Sequence, residues 1–205
     1  MFTHHDMTDS VSSHERGMKL LETPMLNKGT AFTDAERAAF GLEGLLPPSV
    51  ETLDQQHRRV LHQLGQKPTD LERYIYLIQL FDSNEILFYY VVMSDPAHFL
   101  PILYDPTVCE ACLKFGHIYR RPHGMYISMN QKGRIQEVLK NWPEKNIRVV
   151  CVSSGGRILG LGDLGANGMG IPIAPTIHRA IAPTIHRVRR CSPARTFTTS
   201  PRFRH

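Results

Sequence analysis

Several residue sets in this chain have the types and spacing that chemistry uses, and each also has a plainer reading. Cys109 and Cys112 form a C-x-x-C, the spacing of redox pairs and of half a zinc site. Zinc needs two further ligands nearby, and no second C-x-x-C exists, so the spacing predicts two buried structural cysteines on one helix face rather than a metal site. Gly160–Gly165 reads GLGDLG, which satisfies G-x-G-x-x-G. A dinucleotide fingerprint must open a helix and be followed about 20 residues later by an acid for the ribose. ANGMGIP follows instead, and no Asp or Glu occurs beyond Asp163, so the run predicts a tight backbone loop that needs small residues. The histidines, His57, His62, His98, His117 and His123 among them, show no i, i+4 pair around an acid and read as surface or capped side chains. Arg120-Arg121 ahead of Pro122 reads as a solvated turn before it reads as an anion site. Tyr104 and Arg157 are ordinary by composition, a packing tyrosine and a surface arginine.

The elements that must position these residues change character along the chain. From Thr33 to Leu113 the apolar spacing is helical almost throughout. Thr33 with Glu36 forms a capping box and Gly41 supplies a stop. A second helix is expected from about Val50 to Leu64, with Val50, Leu53, Val60, Leu61 and Leu64 on one face and Gly65 at its end. Asp82-Ser83-Asn84 divides the next apolar stretch into two helices, with Ser83 the expected N-cap. After Gly116 the pattern turns β-rich. Residues 124–129 alternate, Gly133–Asn141 reads as a helix, and 147–152 and 157–161 read as strands, which suggests the opening of an α/β layer. The predicted fold class is therefore α/β overall. A flexible N-terminus (1–22) and a mostly helical region (23–123) precede an incomplete α/β region (124–173).

Residues 174–205 differ again. IAPTIHR occurs at 173–179 and 181–187, and two copies of so short a repeat cannot build a core. The segment holds seven arginines and no acid, so the rest of the chain nets −2 within a total of +5. It reads as a disordered, Arg-rich tail. With the basic charge confined there and few aromatics among it, no nucleic-acid partner is expected. At 205 residues, 41% hydrophobic and a mean hydropathy of −0.25, the chain suits one or two globular domains and excludes collagen-like and wholly disordered classes. No apolar run approaches the roughly 18–20 residues of a membrane span. Four irregularly spaced cysteines point to a reducing compartment. Asp6, Asp9 and Glu15 at the N-terminus are unlike a transit peptide, so a cytoplasmic location is expected, with mitochondrial import the alternative.

Three ordered blocks give Tyr104 and Arg157 a wider setting. LNKGTAFTDAERAAFGLEGLLPP (26–48), ILYDPTVCEACLKFGHIYRRPHGMYIS (102–128) and RILGLGDLGANGMGIPI (157–173) resemble the N-terminal half of malic enzymes. The resemblance spans about residues 23–173. It implies oxidative decarboxylation of malate to pyruvate and carbon dioxide, with NAD or NADP and a divalent metal, Mg²⁺ or Mn²⁺. It also implies that Tyr104, in the Y-x-P-x-V motif, protonates the enolate of pyruvate, and that Arg157 grips substrate or cofactor through its fork of donors. The family continues G-M-G-I-P-[IV]-G-K with the lysine as general base, whereas here Ala174 and Pro175 stand at the last two positions. The family's metal carboxylates and its dinucleotide domain have no counterpart here, since no acid follows Asp163. T-D-G-E-R becomes Ser153-Ser154-Gly155-Gly156-Arg157, and Cys109 replaces the glycine after Y-x-P-x-V. Of the arginine pair that binds fumarate in some members, Arg59 matches one position and Ser83 occupies the other. The expectation is a malic-enzyme homologue that is catalytically incomplete, joined to an unrelated tail through truncation, frameshift or read-through. The alternative is a non-catalytic partner that assembles, as a homo-oligomer or with a full-length relative, through the helical region.

Overall fold

The computed structural model describes residues 15–143, 147 and 150–174. The described part is mostly helical and contains no strand. Its helices are α1 (Gly17–Leu21), α2 (Asp34–Phe40), α3 (Leu53–Gly65), α4 (Asp70–Ser83), α5 (Glu85–Ser94), α6 (Pro96–Leu103), α7 (Thr107–Leu113), α8 (Phe115–Ile118) and α9 (Ile135–Leu139). Short 3-10 turns occupy Gly29–Ala31, Met129–Gln131, Leu159–Leu161 and Gly165–Met169, and the last runs on into helical residues 170–174.

Local chemistry explains where the helices start. Thr33 and Thr52 each close a capping box, with Glu36 and Gln55 returning the bond to the cap's own N–H. Thr69, Asn84 and Asp95 accept from the amides of Glu72, Leu87 and His98 at the starts of α4, α5 and α6. Gly41, at φ 69°, ends α2 in the left-handed region that a side chain resists. No single helix among the described residues is long and apolar enough to cross a membrane.

The core lies around α4, which packs against α5, α6 and α7, while α3 packs on α5. Leu77, Phe88, Val91 and Val92 are wholly buried there. Burying a side chain of that size stabilises by about 1.5–3 kcal/mol. A smaller cluster of Leu20, Phe32 and Leu42 sits near the N-terminus. Arg37 of α2 is 5% exposed, and among the described residues no carboxylate forms an ion pair with it. Instead its guanidinium donates to five backbone carbonyls, those of Thr30, Phe32, Pro47, Pro48 and Ser49. One side chain thereby satisfies the carbonyls of two irregular segments that have no ladder of their own.

The structure corrects several expectations. Residues 17–21, within the segment expected to be flexible, form α1, because Leu20 finds cover against Phe32 and Leu42. Val50 precedes the cap of α3 and is exposed, as is Leu61, so the buried face of that helix is carried by Gln56, Val60 and Leu64. Ser83 closes α4, its hydroxyl donating back to the carbonyls of Gln79 and Leu80, and the next residue, Asn84, is the cap of α5. Residues 125–128 are coil rather than strand, since alternation is local but a strand needs a neighbour to pair with. At 157–161 the glycines on either side bend the chain into a closed loop, with a single bridge between Ile158 and Gly162. The helix expected at Gly133–Asn141 is shorter, Ile135–Leu139. The strand expected at 147–152 falls partly outside the described residues. So does the tail expected at 174–205 except for Ala174, which is helical and buried against Val108 and Cys112 rather than disordered.

Candidate functional site

Tyr104 stands at the C-cap of α6, where its N–H donates to the Leu100 carbonyl at 2.9 Å and its own carbonyl accepts from Val108 at 2.6 Å. The backbone is therefore held from both sides, by the helix that ends there and by the helix that follows. A cis Asp105-Pro106 bond separates it from α7. Its side chain is 39% exposed, so the hydroxyl-bearing ring stands at the surface of the bundle.

Arg157 is exposed within a loop whose shape is set by backbone contacts. The Ile158 N–H donates to the Gly162 carbonyl at 2.8 Å, and the Leu164 N–H to the Gly155 carbonyl at 2.9 Å. Asp163 turns its carboxylate back onto the Gly165 N–H at 2.9 Å. Gly155 has φ 68°, and a Cβ there would lie 2.0 Å from the Gly165 carbonyl oxygen, so no other residue fits. GLGDLG is thus a tight loop built on close backbone approach, as its composition predicts, and no strand leads into it. Leu159 adopts φ 37° and stands 94% exposed at its tip.

The structure links the two candidate residues through α7. Val108 and Cys112 of that helix form a small buried cluster with Ala174, against which Leu164 and Ile171 pack. A Cβ on Gly170 would meet the Cys112 sulfur at 2.6 Å, so the helical backbone at 170 lies directly on the thiol. Gly124 brings the Met169 sulfur close in the same way, at 2.8 Å from where a Cβ would stand, and Asn167 lies in ordinary contact with Gly116. The segment that follows Arg157 is therefore seated on the helix that follows Tyr104.

The C-x-x-C lies on α7, but of the two cysteines expected to be buried Cys112 is fully so and Cys109 is only half-buried. Burial pushes the Cys109 thiol up from its ordinary range, and the Asp105 carboxylate, which its sulfur approaches at 3.4 Å, adds to that. Burial also raises Cys112, as does its neighbour Cys109, while the amides of Gly170 and Ile171 facing the sulfur pull the other way. Neither thiol is a poised nucleophile. Among the described residues no three of His, Cys, Asp and Glu come together in a set that could hold a metal ion. These residues therefore do not fit a divalent metal.

Other polar groups have structural partners. His57 bonds Ser94 at 3.0 Å. His123 bonds the Asp82 carboxylate at 2.7 Å and stacks on Phe81. Arg121 donates to the Asp82 carbonyl at 2.9 Å, so the Arg-Arg-Pro turn is tied to the end of α4 rather than merely solvated. Thr30 and Arg59 both bond Glu51, and those hydrogen bonds, Thr30's first, hold its carboxyl below the usual carboxylate range. Arg59, one half of the resembled fumarate pair, is thus already engaged. The reading of residues one by one misses the seat of Gly170 on Cys112 and the Asp82–His123 contact. Each joins residues about 40 or more positions apart, which local spacing cannot register.

A family model described as malic enzyme, N-terminal domain matches residues 81–182. The NADP-dependent malic enzyme of Phaseolus vulgaris is 53% identical over 169 residues, covering 82% of this chain and 29% of the bean protein. NADP-dependent malic enzyme 2 of Arabidopsis thaliana is 52% identical over 167 residues, covering 82% of this chain and 28% of its own length. A chloroplastic NADP-dependent malic enzyme of Oryza sativa subsp. japonica is 49% identical over 157 residues, with 77% and 25% covered. The chain thus spans under a third of the length of these relatives.

Proposed function

Since this chain belongs to the malic-enzyme family through that family's N-terminal domain, we propose that it is a homologue of the enzymes that decarboxylate malate with NAD(P), unable by itself to complete the reaction. The observation that carries this reading is the pair Ala174-Pro175 at the positions where the family has Gly-Lys. Proline has no titratable group, so nothing at that position can take the 2-hydroxyl proton of malate. Tyr104 would hold the proton that an enolate of pyruvate receives, and its half-exposed position at the end of α6 suits that role. Arg157 would hold a carboxylate through parallel N–H donors, from a loop whose backbone is fixed by the close approach of Gly155 to Gly165. Both residues act after or beside the abstraction step, and neither can start it. Losing one positioned acid–base group costs about 10²–10⁴-fold in rate. No step is routed through a metal, because the residues described do not supply a set of ligands for one.

A second reading is favoured by the apolar side chains of residues 119–159. Tyr119, Met129, Leu139, Val150, Val152 and Leu159 are all exposed. In this reading they open an α/β layer that further chain completes, its own or that of a full-length malic enzyme bound as partner in the cytoplasm. The test is reduced-nicotinamide absorbance with malate, Mn²⁺ and the purified chain, beside a Tyr104→Phe variant. No turnover is expected for the chain alone. Turnover above background that the variant loses would overturn the first reading, and turnover appearing only with a full-length malic enzyme in excess of that enzyme's own rate would favour the second.

A further inference from the structure

The C-x-x-C of α7 has no part in the proposed function, yet it lies between the two residues that do. We propose that Cys109 and Cys112 form a reversible disulfide within α7, and that closing it unseats the glycine-rich segment 165–174 from the helix. The inference is independent of the catalytic reading, because it concerns only how two packed segments hold together.

Three observations carry it. Both sulfurs are free thiols on one helix, three residues apart, and therefore on neighbouring positions of the same face. Cys109 is reachable from solvent while Cys112 is fully buried, so an incoming oxidant meets Cys109 first and Cys112 resolves the product. Cys112 is also the floor on which the segment rests: Gly170 abuts its sulfur, and Ala174 shares its buried cluster.

Helical neighbours three apart have Cβ atoms about 5–6 Å apart, whereas a disulfide holds them at about 3.5–4.5 Å. Closing the bond must therefore distort α7, which is only seven residues long. A bond formed against such strain is readily reduced again. The Cys112 sulfur has to turn towards Cys109 and so away from the Gly170 backbone. A Cβ at 170 would stand 2.6 Å from the sulfur as it now lies, so the glycine lets the segment sit this close, and turning the sulfur away removes the contact on which that seat rests.

With oxidised glutathione as the oxidant the exchange balances in two steps. The Cys109 thiol loses its proton to solvent and attacks one glutathione sulfur, releasing the other glutathione as a thiolate that takes up a proton. The Cys112 thiol then loses its proton and attacks the Cys109 sulfur of the mixed disulfide, releasing the second glutathione. The protein loses two hydrogens and the glutathione disulfide is reduced to two thiols. Both protein thiols sit above their ordinary pKa range, so the exchange is slow near neutrality and quickens as pH rises.

The experiment uses the full chain with Cys151 and Cys191 changed to serine, so that only the α7 pair can react. After incubation with oxidised glutathione at mildly alkaline pH, intact mass should show the loss of two hydrogens, reversed by a dithiol reductant. Amide exchange at Gly170 and Ile171 should speed by about tenfold, the scale of losing one protecting contact. Adding Cys109→Ser should abolish both changes. A glutathione adduct that persists on Cys109, no reaction at all, or a disulfide that leaves exchange at 170 and 171 unchanged would each overturn the proposal. So would faster exchange in the Cys109→Ser variant under the same oxidant.

Discussion

The described residues of 53–113 and of 119–161 hold apolar side chains of similar kinds and, for the most part, treat them in opposite ways. In the first stretch Leu77, Phe88, Val91 and Val92 have no contact with solvent, and α3 to α6 each begin on a side-chain cap. In the second, Met129, Val150, Val152 and Leu159 stand in solvent. The loop that closes it takes its shape from the close approach of Gly155 to the Gly165 carbonyl, with the side chain of Ile158 tucked against Gly168. One part is therefore stabilised by volume filled, the other by the absence of side chains. The same kind of substitution should have very different costs in the two.

The sharpest test is Phe88→Ala. The ring is wholly buried and makes edge contacts with Phe81 and Tyr89, so truncation should destabilise by about 3–5 kcal/mol in urea unfolding followed by circular dichroism. A loss under about 1 kcal/mol would show that the bundle is not the rigid half. Alkaline pH probes the same core. Burial, with a smaller push from Cys112, raises the Tyr74 hydroxyl to about 12. The unfolded chain releases that proton near pH ~10, so the stability it contributes is whole below that pH and falls as pH climbs towards about 12. The slope is about 1.4 kcal/mol per pH unit for this group. Tyr74→Phe should flatten the decline between those values in stability measured against pH, and an unchanged slope would break the assignment.

In the glycine-built half the effects are smaller and local. Gly155→Ala puts a methyl against the Gly165 carbonyl at a positive φ, which should cost about 1–3 kcal/mol in the loop alone. Trypsin should then cut faster after Arg157 while the urea midpoint of the bundle stays put. Equal cutting rates would mean that the close approach is not what holds the loop. Smallest of all is Val152→Ser. At 85% exposure it should shift stability by no more than about 0.5 kcal/mol, and a larger loss would reveal a partner that covers the site in solution.

How much of this was legible follows from the range of each signal. The capping box at Thr33 and Glu36 and the stop at Gly41 act within four residues, and both are found where spacing put them. The junction near Ser83 was visible, but choosing Asn84 over Ser83 as cap depends on which side chain meets the Leu87 amide, a matter of a single residue. Alternation at 124–129 suggested a strand because the side chains do alternate, and only pairing decides the rest. Tyr104 and Arg157 are candidates by resemblance alone, since neither stands out by type. Nothing in the spacing of α7 announced that a backbone 58 positions further on would rest on Cys112.

Arg37 bears on which replacements the chain can accept. Its charge is met by peptide dipoles, with no counter-ion among the described residues, and the two stretches it gathers, 30–32 and 47–49, include consecutive prolines that donate nothing. A lysine would bring the same charge with three donors on a point-like head, too few and too close together to reach carbonyls spread across both stretches. The position is thus one where two cations are not synonyms. The planar fork acts as a template for the path of a connector that has no regular structure to guide it.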